Sequence, residues 1–173
     1  MIKVKTKIID LDPNNQIQIS DFKRMFIQYN IDIKSKNTFE ELEKISNDFI
    51  IMIANNETRW ISLMINEENS FVGFVIYQIT DFDVNTYMYD GRAKLEHGFP
   101  KWMFLREHFV TQKYRKNGYG RKLSEYVVEK ARLYLVNEIY LTADDAIAFW
   151  EKMGYQKLNK MGFNGLDVLK LEI

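Results

Sequence analysis

The sequence predicts an α/β domain of the α+β type, in which strands and helices alternate along 173 residues. Segments with apolar residues at every second position, typical of half-buried strands, are interspersed with segments that carry them at the spacing of one helix face. The second half contains a strand, a glycine loop, a helix and another strand in succession. Because the length suits one domain and no linker or internal repeat interrupts it, we expect a single domain over residues 1–173.

The composition excludes several classes of function. Lys plus Arg and Asp plus Glu are equal at 24 each, whereas a dedicated nucleic-acid binder usually has a basic excess, so no nucleic-acid partner is expected. The chain has no cysteine, which excludes disulfides and thiolate zinc sites. Two histidines, His97 and His108, are too few for a His-only metal cage, so no metal is expected. The alternating N-terminus is unlike a signal peptide, and apolar runs are too short to span a membrane, so a cytoplasmic protein with no membrane partner is expected.

The first half predicts a strand, two helices and two further strands. Alternation predicts a strand over 2–9, and Ser20 is the expected N-cap of the first helix. Thr38 and Glu41 have the spacing of a capping box for the second helix. The apolar stripes of these two helices comprise Phe22, Met25, Phe26 and Tyr29, and then Leu42, Ile45, Phe49, Met52 and Ile53. The segments 59–65 and 71–79 are predicted to be strands joined by the polar turn NEENS.

The second half begins with a segment, 80–100, that fits neither periodicity and is long for a connection between strands. It is either a lid or acceptor-binding segment or a surface excursion. A strand is predicted over 102–110, followed after a loop by a helix with one apolar face. That face comprises Leu123, Tyr126, Val127, Ala131, Tyr134 and Leu135. The remaining predicted elements are the strand EIYLT, the helix AIAFWEKM capped by Asp144 or Asp145 and ended by Gly154, and two closing strands, YQKL and LDVLKLEI.

The loop KYRKNGYGRK, residues 113–122, combines five basic residues with Gly118 and Gly120 and contains no acid. Glycine lets a ligand approach the backbone, and the first N–H groups of the following helix have no partner in that helix. With the helix dipole they form an anion site, for which phosphate is the usual ligand. Two alternatives remain from the loop alone, a tight turn with a solvated basic rim and a short RNA-binding stretch. No Gly-Lys-Ser/Thr sequence follows, so the loop is not a P-loop.

The segment Arg115 to Gly120, RKNGYG, resembles the R/Q-x-x-G-x-G/A signature of the GNAT superfamily of acyl-coenzyme A N-acyltransferases. AIAFWEKMGYQK, 146–157, is similar to that family's second motif, A-x-x-F-Y-E-K-x-G-F. The resemblance implies a mostly antiparallel sheet of six to seven strands with about four helices, splayed between the fourth and fifth strands. It also implies acetyl-CoA as co-substrate, with its pyrophosphate bound by backbone N–H groups and by the charge of Arg115. The N–H groups belong to Lys116, Asn117, Gly118, Tyr119, Gly120 and Arg121.

The resemblance also suggests how an amine attacks the acetyl group directly. Glu107, on the strand before the loop, is the candidate general base; otherwise it faces solvent or pairs with a surface cation. The N–H groups of Phe109 and Val110 are the expected oxyanion donors. His108 should face the other side of the sheet, toward solvent. Trp150 stands where relatives carry the tyrosine interpreted as the acid for the thiolate, and we expect it to pack beside the cofactor tail.

Three other expectations concern residues around the site. The Tyr119 side chain is expected in the core, and Ala143 stands where relatives often have a cofactor-contacting Asn. The acceptor carries a primary amine on a small molecule, a peptide or a lysine, and loop acids attract it; these are Asp81, Asp83, Asp90 and Glu96. A monomer or homodimer is expected. The alternative function is a coenzyme A-binding sensor or partner protein with weak or no catalysis, favoured by Trp150 and Ala143.

Overall fold

The computed structural model describes residues 4–55, 58–79, 102–162 and 164–173, and the backbone of 82–83 and 88–89. The chain divides into two compact units, one of residues 1–76 and 107–123 and the other of residues 77–106 and 124–173. A single domain over 1–173 stays a prediction. Across the described ranges, no helix is long and apolar enough to cross a membrane.

The first unit contains two helices and the strands that flank them in sequence, in the predicted order β–α–α–β–β. The elements are β1 (Thr6–Asp10), α1 (Gln16–Asp32), α2 (Phe39–Ala54), β2 (Arg59–Asn66) and β3 (Phe71–Ile79). β3 has the predicted bounds and continues into the second unit at Tyr77.

The predicted N-terminal cap is wrong for α1 and right for α2. The expected N-cap Ser20 is wrong: α1 begins at Gln16, and the Asn15 side chain accepts from the backbone N–H groups of Ile17 and Gln18. The capping box of α2 is confirmed, because Thr38 and Glu41 each accept from the other's backbone N–H, at 3.2 Å and 2.7 Å between heavy atoms.

The core of the first unit is aromatic and aliphatic and lies between the two helices and the strands. Phe22, Phe26 and Phe74 meet at ring-centroid distances of 5.6 to 6.4 Å. Such tilted and edge-to-face contacts add to the free energy gained from burial. The buried members are Leu11, Phe22, Met25, Phe26, Leu42, Phe49, Ile61, Leu63, Phe74, Ile76 and Phe109.

The second half of the chain contains the other strands and helices. They are the short pair β4 (Phe82–Asp83) and β5 (Met88–Tyr89), then β6 (Trp102–Val110), α3 (Tyr119–Leu133), β7 (Glu138–Ala143), α4 (Ile147–Lys152), β8 (Gln156–Met161) and β9 (Asp167–Glu172). β6 has the predicted bounds. The buried face of α3 includes Leu123, Val127 and Ala131, but the predicted Tyr134 and Leu135 lie beyond its end and are exposed.

The main sheet has seven strands in the order β1-β2-β3-β6-β7-β9-β8. Pairing is antiparallel between β1 and β2, β7 and β9, and β8 and β9, but parallel between β6 and β7. The parallel register covers only residues 102–104 of β6 and 138–140 of β7, so these fourth and fifth strands splay beyond it. The predicted mixed, mostly antiparallel and splayed sheet is confirmed.

The start of α4 differs from the prediction, whereas its end agrees. Neither Asp144 nor Asp145 caps the helix, because the N-cap position is Ala146 and no side chain caps it. The Asp144 carboxylate instead accepts the N–H of Asp145 at 2.6 Å, three residues before the first helical residue, Ile147. Gly154 has φ +93 directly after the C-cap, as expected for a left-handed residue that ends a helix.

Candidate active site

The loop between β6 and α3 has an unusual backbone. Lys116 has φ +62 and Gly118 has φ +85, with Asn117 between them outside the positive-φ region. Alternation of this kind turns successive N–H groups toward one concave side, which is the geometry of an anion-binding nest. At Gly118 a side chain would meet no atom within 4 Å, so the backbone angle rather than lack of space favours glycine there.

Helix α3 begins directly after this loop. The Gly118 carbonyl accepts from the Lys122 N–H at 3.1 Å, which makes Gly118 the residue before the first helical one, Tyr119. The N–H groups of the first helical turn have no partner within the helix, and they add the positive end of the helix dipole. From these backbone angles and the helix start we infer a run of N–H donors over 116–121.

Side chains of the loop brace this backbone. Asn117 Nδ2 donates to the carbonyls of Arg115 at 2.9 Å and Tyr114 at 3.3 Å. The Tyr119 hydroxyl accepts from the N–H of Val4 at 2.6 Å and donates to the Val4 carbonyl at 2.9 Å. Tyr119 is 1% exposed, so the prediction that its side chain lies in the core is confirmed.

Arg115 is held by the protein itself. Its guanidinium donates from Nη2 to the Asp32 carboxylate at 2.9 Å and from Nε to the Val110 carbonyl at 2.8 Å. Asp32 is the last residue of α1, so the ion pair joins that helix to the loop. The positive charge of Arg115 is thus partly offset, while Lys116 and Lys122 are exposed beside the run of N–H donors.

Glu107 lies on β6 and is half-buried. Its Oε2 accepts a hydrogen bond from the Tyr29 hydroxyl at 2.6 Å, which connects β6 to α1. The role of Glu107 as general base stays a prediction, and the contact with Tyr29 is what the structure adds to it.

His108 was expected to face solvent, and this is wrong. Its side chain is half-buried and its Nε2 lies 3.0 Å from the Gly120 carbonyl in the first turn of α3. Burial lowers the pKa of His108 from 6.5 to about 4, although hydrogen bonds to backbone oppose the shift. The ring is therefore neutral near pH 7, and its Nε2–H is the donor to the carbonyl.

The end of β6 approaches β3 closely at Gly73. A Cβ at Gly73 would lie 2.2 Å from the Phe109 carbonyl oxygen and 3.2 Å from the Val110 Cα. Thr111 fixes the same region, since its N–H and hydroxyl donate to the Val72 carbonyl at 2.9 Å and 2.7 Å. The backbone of the two predicted oxyanion donors is thus positioned by a strand residue that has no side chain.

Comparison with known families decides the classification. The model described as the acetyltransferase (GNAT) family matches residues 20–155, which is most of the chain. The chain belongs to the GNAT acetyltransferase family. It is therefore an acyltransferase by family, and the resemblance carried by residues 115–120 and 146–157 is confirmed. Comparison with curated sequences gives no significant match.

Solved structures share the fold of this GNAT chain at low sequence identity. The PaiA N-acetyltransferase of Thermoplasma acidophilum, crystallised in complex with coenzyme A, has a TM-score of 0.70 at 10% identity, with 98% of this chain and 99% of that one covered. An acetyltransferase of Streptococcus agalactiae has a TM-score of 0.70 at 19% identity, with 97% and 98% covered. A GNAT acetyltransferase of Staphylococcus aureus Mu50 has 0.67 at 16%, with 97% and 99% covered.

The second GNAT motif lies in the second unit and contains Trp150, 5% exposed on α4. Its ring packs edge-on against Phe149 at 4.9 Å and Tyr155 at 5.2 Å between centroids. Trp150 thus belongs to the core of this unit, and its contact with a cofactor tail stays a prediction.

Burial raises the pKa of Tyr155, whose hydroxyl has no partner among the residues that the structure describes. Ala143 is buried at the end of β7.

Sequence reasoning missed three residues that the structure brings to the candidate site. Tyr29 was assigned to the apolar stripe of α1, which gave no sign that its hydroxyl reaches Glu107. Asp32 carried no signal. Gly73 did carry one, because glycine inside a strand often marks a close backbone approach. His97 and the four acids proposed to attract an amine lie in the 80–101 segment, outside the described side chains.

Proposed function

We propose that this chain is an N-acetyltransferase that moves the acetyl group of acetyl-CoA directly to a primary amine. The observation that carries the proposal is the positive φ of Lys116 and Gly118 directly before the start of α3, from which we infer the run of N–H donors over 116–121. In a chain of an acetyltransferase family, the anion for such a site is the pyrophosphate of coenzyme A. The coenzyme A complex of the Thermoplasma neighbour supports the choice.

The residues present fit this co-substrate. The stretch 113–122 contains no acid, so nothing within it repels a diphosphate. Because Asp32 offsets the charge of Arg115, we assign diphosphate binding mainly to backbone N–H groups, with Lys116 and Lys122 as exposed charges nearby. Arg115 contributes by holding the loop against Val110.

Acetyl-CoA supplies the acyl group as a thioester with a thiol leaving group. Glu107 takes a proton from the ammonium group of the acceptor, directly or through a water, so that the neutral amine can attack the carbonyl carbon. The N–H groups of Phe109 and Val110 donate to the carbonyl oxygen as negative charge develops on it. Trp150 cannot act as an acid, but a thiol with a pKa of ~8–9 can leave as the thiolate near neutral pH.

The test is thiol release from acetyl-CoA with a panel of small polyamines, peptides with free N-termini and lysine peptides. We expect amine-dependent release that Glu107→Gln lowers by about 10²-fold or more, the low end for general base catalysis. Glu129→Gln, on an exposed position of α3, is the matched control and should leave kcat unchanged. If the protein binds coenzyme A but releases no thiol from acetyl-CoA, and Glu107→Gln changes neither result, the alternative function is supported. That alternative is the coenzyme A-binding sensor with weak or no catalysis, which Trp150 favours.

A further inference from the structure

We propose that Tyr29 is a positioning residue for Glu107, an inference that rests on the proposed function. The two residues are 78 positions apart in sequence, and the Tyr29 hydroxyl donates to Glu107 Oε2 at 2.6 Å. Glutamate has three rotatable side-chain bonds, so its carboxylate samples several orientations unless a contact selects one. The Tyr29 hydroxyl supplies that contact.

The Tyr29 ring is itself fixed by packing. It meets Phe74 edge-on at 5.7 Å and 86°, and Phe109 at 5.3 Å and 54°, between ring centroids and planes. Phe26, on the preceding turn of α1, adds a third contact at 6.1 Å. Because phenylalanine retains all of these ring contacts, Tyr29→Phe removes the hydroxyl and little else.

Helix α1, which carries Tyr29, is also connected to β6 through Arg115. Asp32, three residues further along α1, pairs with Arg115 at 2.9 Å, and Arg115 Nε donates to the Val110 carbonyl at 2.8 Å. Residues three apart lie on one helix face. One face of the last turn of α1 therefore contacts β6 through Tyr29 and Glu107, and the loop 113–122 through Asp32 and Arg115.

This arrangement places the hydroxyl independently of Glu107, as positioning requires. A carboxylate offers about four lone-pair sites, so the hydrogen bond from Tyr29 does not prevent Glu107 from accepting a proton. Catalysis is sensitive to such placement, because an error of about 1 Å can cost about 10²-fold in rate. Loss of the hydroxyl should therefore lower turnover without weakening coenzyme A binding.

The experiment is a double-mutant cycle with Tyr29→Phe, Glu107→Gln and the double variant, measured as kcat at saturating acetyl-CoA and amine. We expect Tyr29→Phe to lower kcat about tenfold, equivalent to about 1.4 kcal/mol. In the Glu107→Gln background the same change should alter kcat less than about twofold. Coenzyme A affinity, titrated separately, should stay the same in all of them.

Tyr140→Phe is the matched control, because the Tyr140 hydroxyl also donates to a glutamate, Glu138, at 2.9 Å, in the second unit. It should leave kcat unchanged. The inference is overturned if Tyr29→Phe retains full kcat, or if it costs the same factor with and without Glu107. If the unaltered protein shows no turnover, the proposed function itself is overturned. If it does show turnover but the Tyr29→Phe result disagrees, only the positioning role is overturned.

Discussion

Replacing Gly73 by alanine tests whether β3 positions the backbone that we assign to oxyanion stabilisation. The added Cβ would lie 2.2 Å from the Phe109 carbonyl oxygen and 3.2 Å from the Phe109 carbonyl carbon and the Val110 Cα. All three are backbone atoms, so no rotamer change relieves the contact. To restore a separation of about 3.0 Å, one strand must move by roughly 0.8 Å relative to the other.

Gly73→Ala should lower the free energy of unfolding moderately and kcat/KM strongly. Overpacking of this kind costs about 1–3 kcal/mol in free energy of unfolding. A displacement approaching 1 Å at the N–H groups of Phe109 and Val110 should lower kcat/KM by about 10²-fold. The substitution does not displace the loop 113–122 directly, so the Kd for coenzyme A should change only a few-fold.

The assay combines urea unfolding with kcat/KM for thiol release at a temperature where the variant is fully folded. Gly165→Ala is the control, because Gly165 has φ +74 but a side chain there would meet nothing within 4 Å. That control should lose about 1–2 kcal/mol of stability through backbone strain and keep its activity. A folded Gly73→Ala protein with wild-type kcat/KM would refute the assignment.

Two further predictions concern the loop and the helix start. Gly118→Ala should raise the Kd for coenzyme A about tenfold, because φ +85 costs alanine about 1–2 kcal/mol in the conformation that binds, and an unchanged Kd by calorimetry would contradict this. His108 should destabilise the fold as the pH falls from about 6.5 to 4, because the unfolded chain takes up a proton over that range and the folded ring, with its pKa lowered by burial, does not. The full shift corresponds to at most ~3 kcal/mol, and partial exposure of the ring reduces this to on the order of 1–2 kcal/mol. His108→Gln keeps an N–H donor for Gly120 and should flatten the pH dependence of urea unfolding over that range; an equal slope in both proteins would show that another group titrates.

Sequence patterns predicted the bounds of an element well where its apolar residues are buried along its whole length. The bounds of β3 and β6 were predicted because segments rich in apolar, β-favouring residues are flanked there by polar residues in the sequence. The start of α1 was missed because its first turn is not buried: Ile17 is 75% exposed, so apolar periodicity begins only at Phe22. Asn15 was the available signal for the true N-cap.

Contacts between distant parts of the chain were beyond sequence reasoning. Strand alternation places His108 opposite Glu107, but it does not tell that the first turn of α3 covers that side. Likewise, helical spacing makes Tyr29 an apolar-stripe residue and gives no information on a partner 78 positions away. Anion binding by the loop stays a prediction, made from glycines and basic residues that are adjacent in sequence. The ion pair of Arg115 with Asp32 could not be predicted, because Asp32 lies on a distant helix.

Several partner predictions stay predictions. The acceptor amine, the choice between monomer and homodimer, the cytoplasmic location and the absence of nucleic-acid or metal partners follow from composition and family resemblance. The 80–100 segment, proposed as a lid or acceptor-binding region, lies for the most part outside the described residues.

The most direct test of the central claim compares thermal stabilisation by coenzyme A and by pantetheine, which has the same thiol arm without the diphosphate. If the N–H groups of 116–121 hold the pyrophosphate, coenzyme A at about 100 times its Kd should add ~2.7 kcal/mol of stability, and pantetheine at the same concentration much less. Equal stabilisation by both compounds, or none by coenzyme A, would contradict the account.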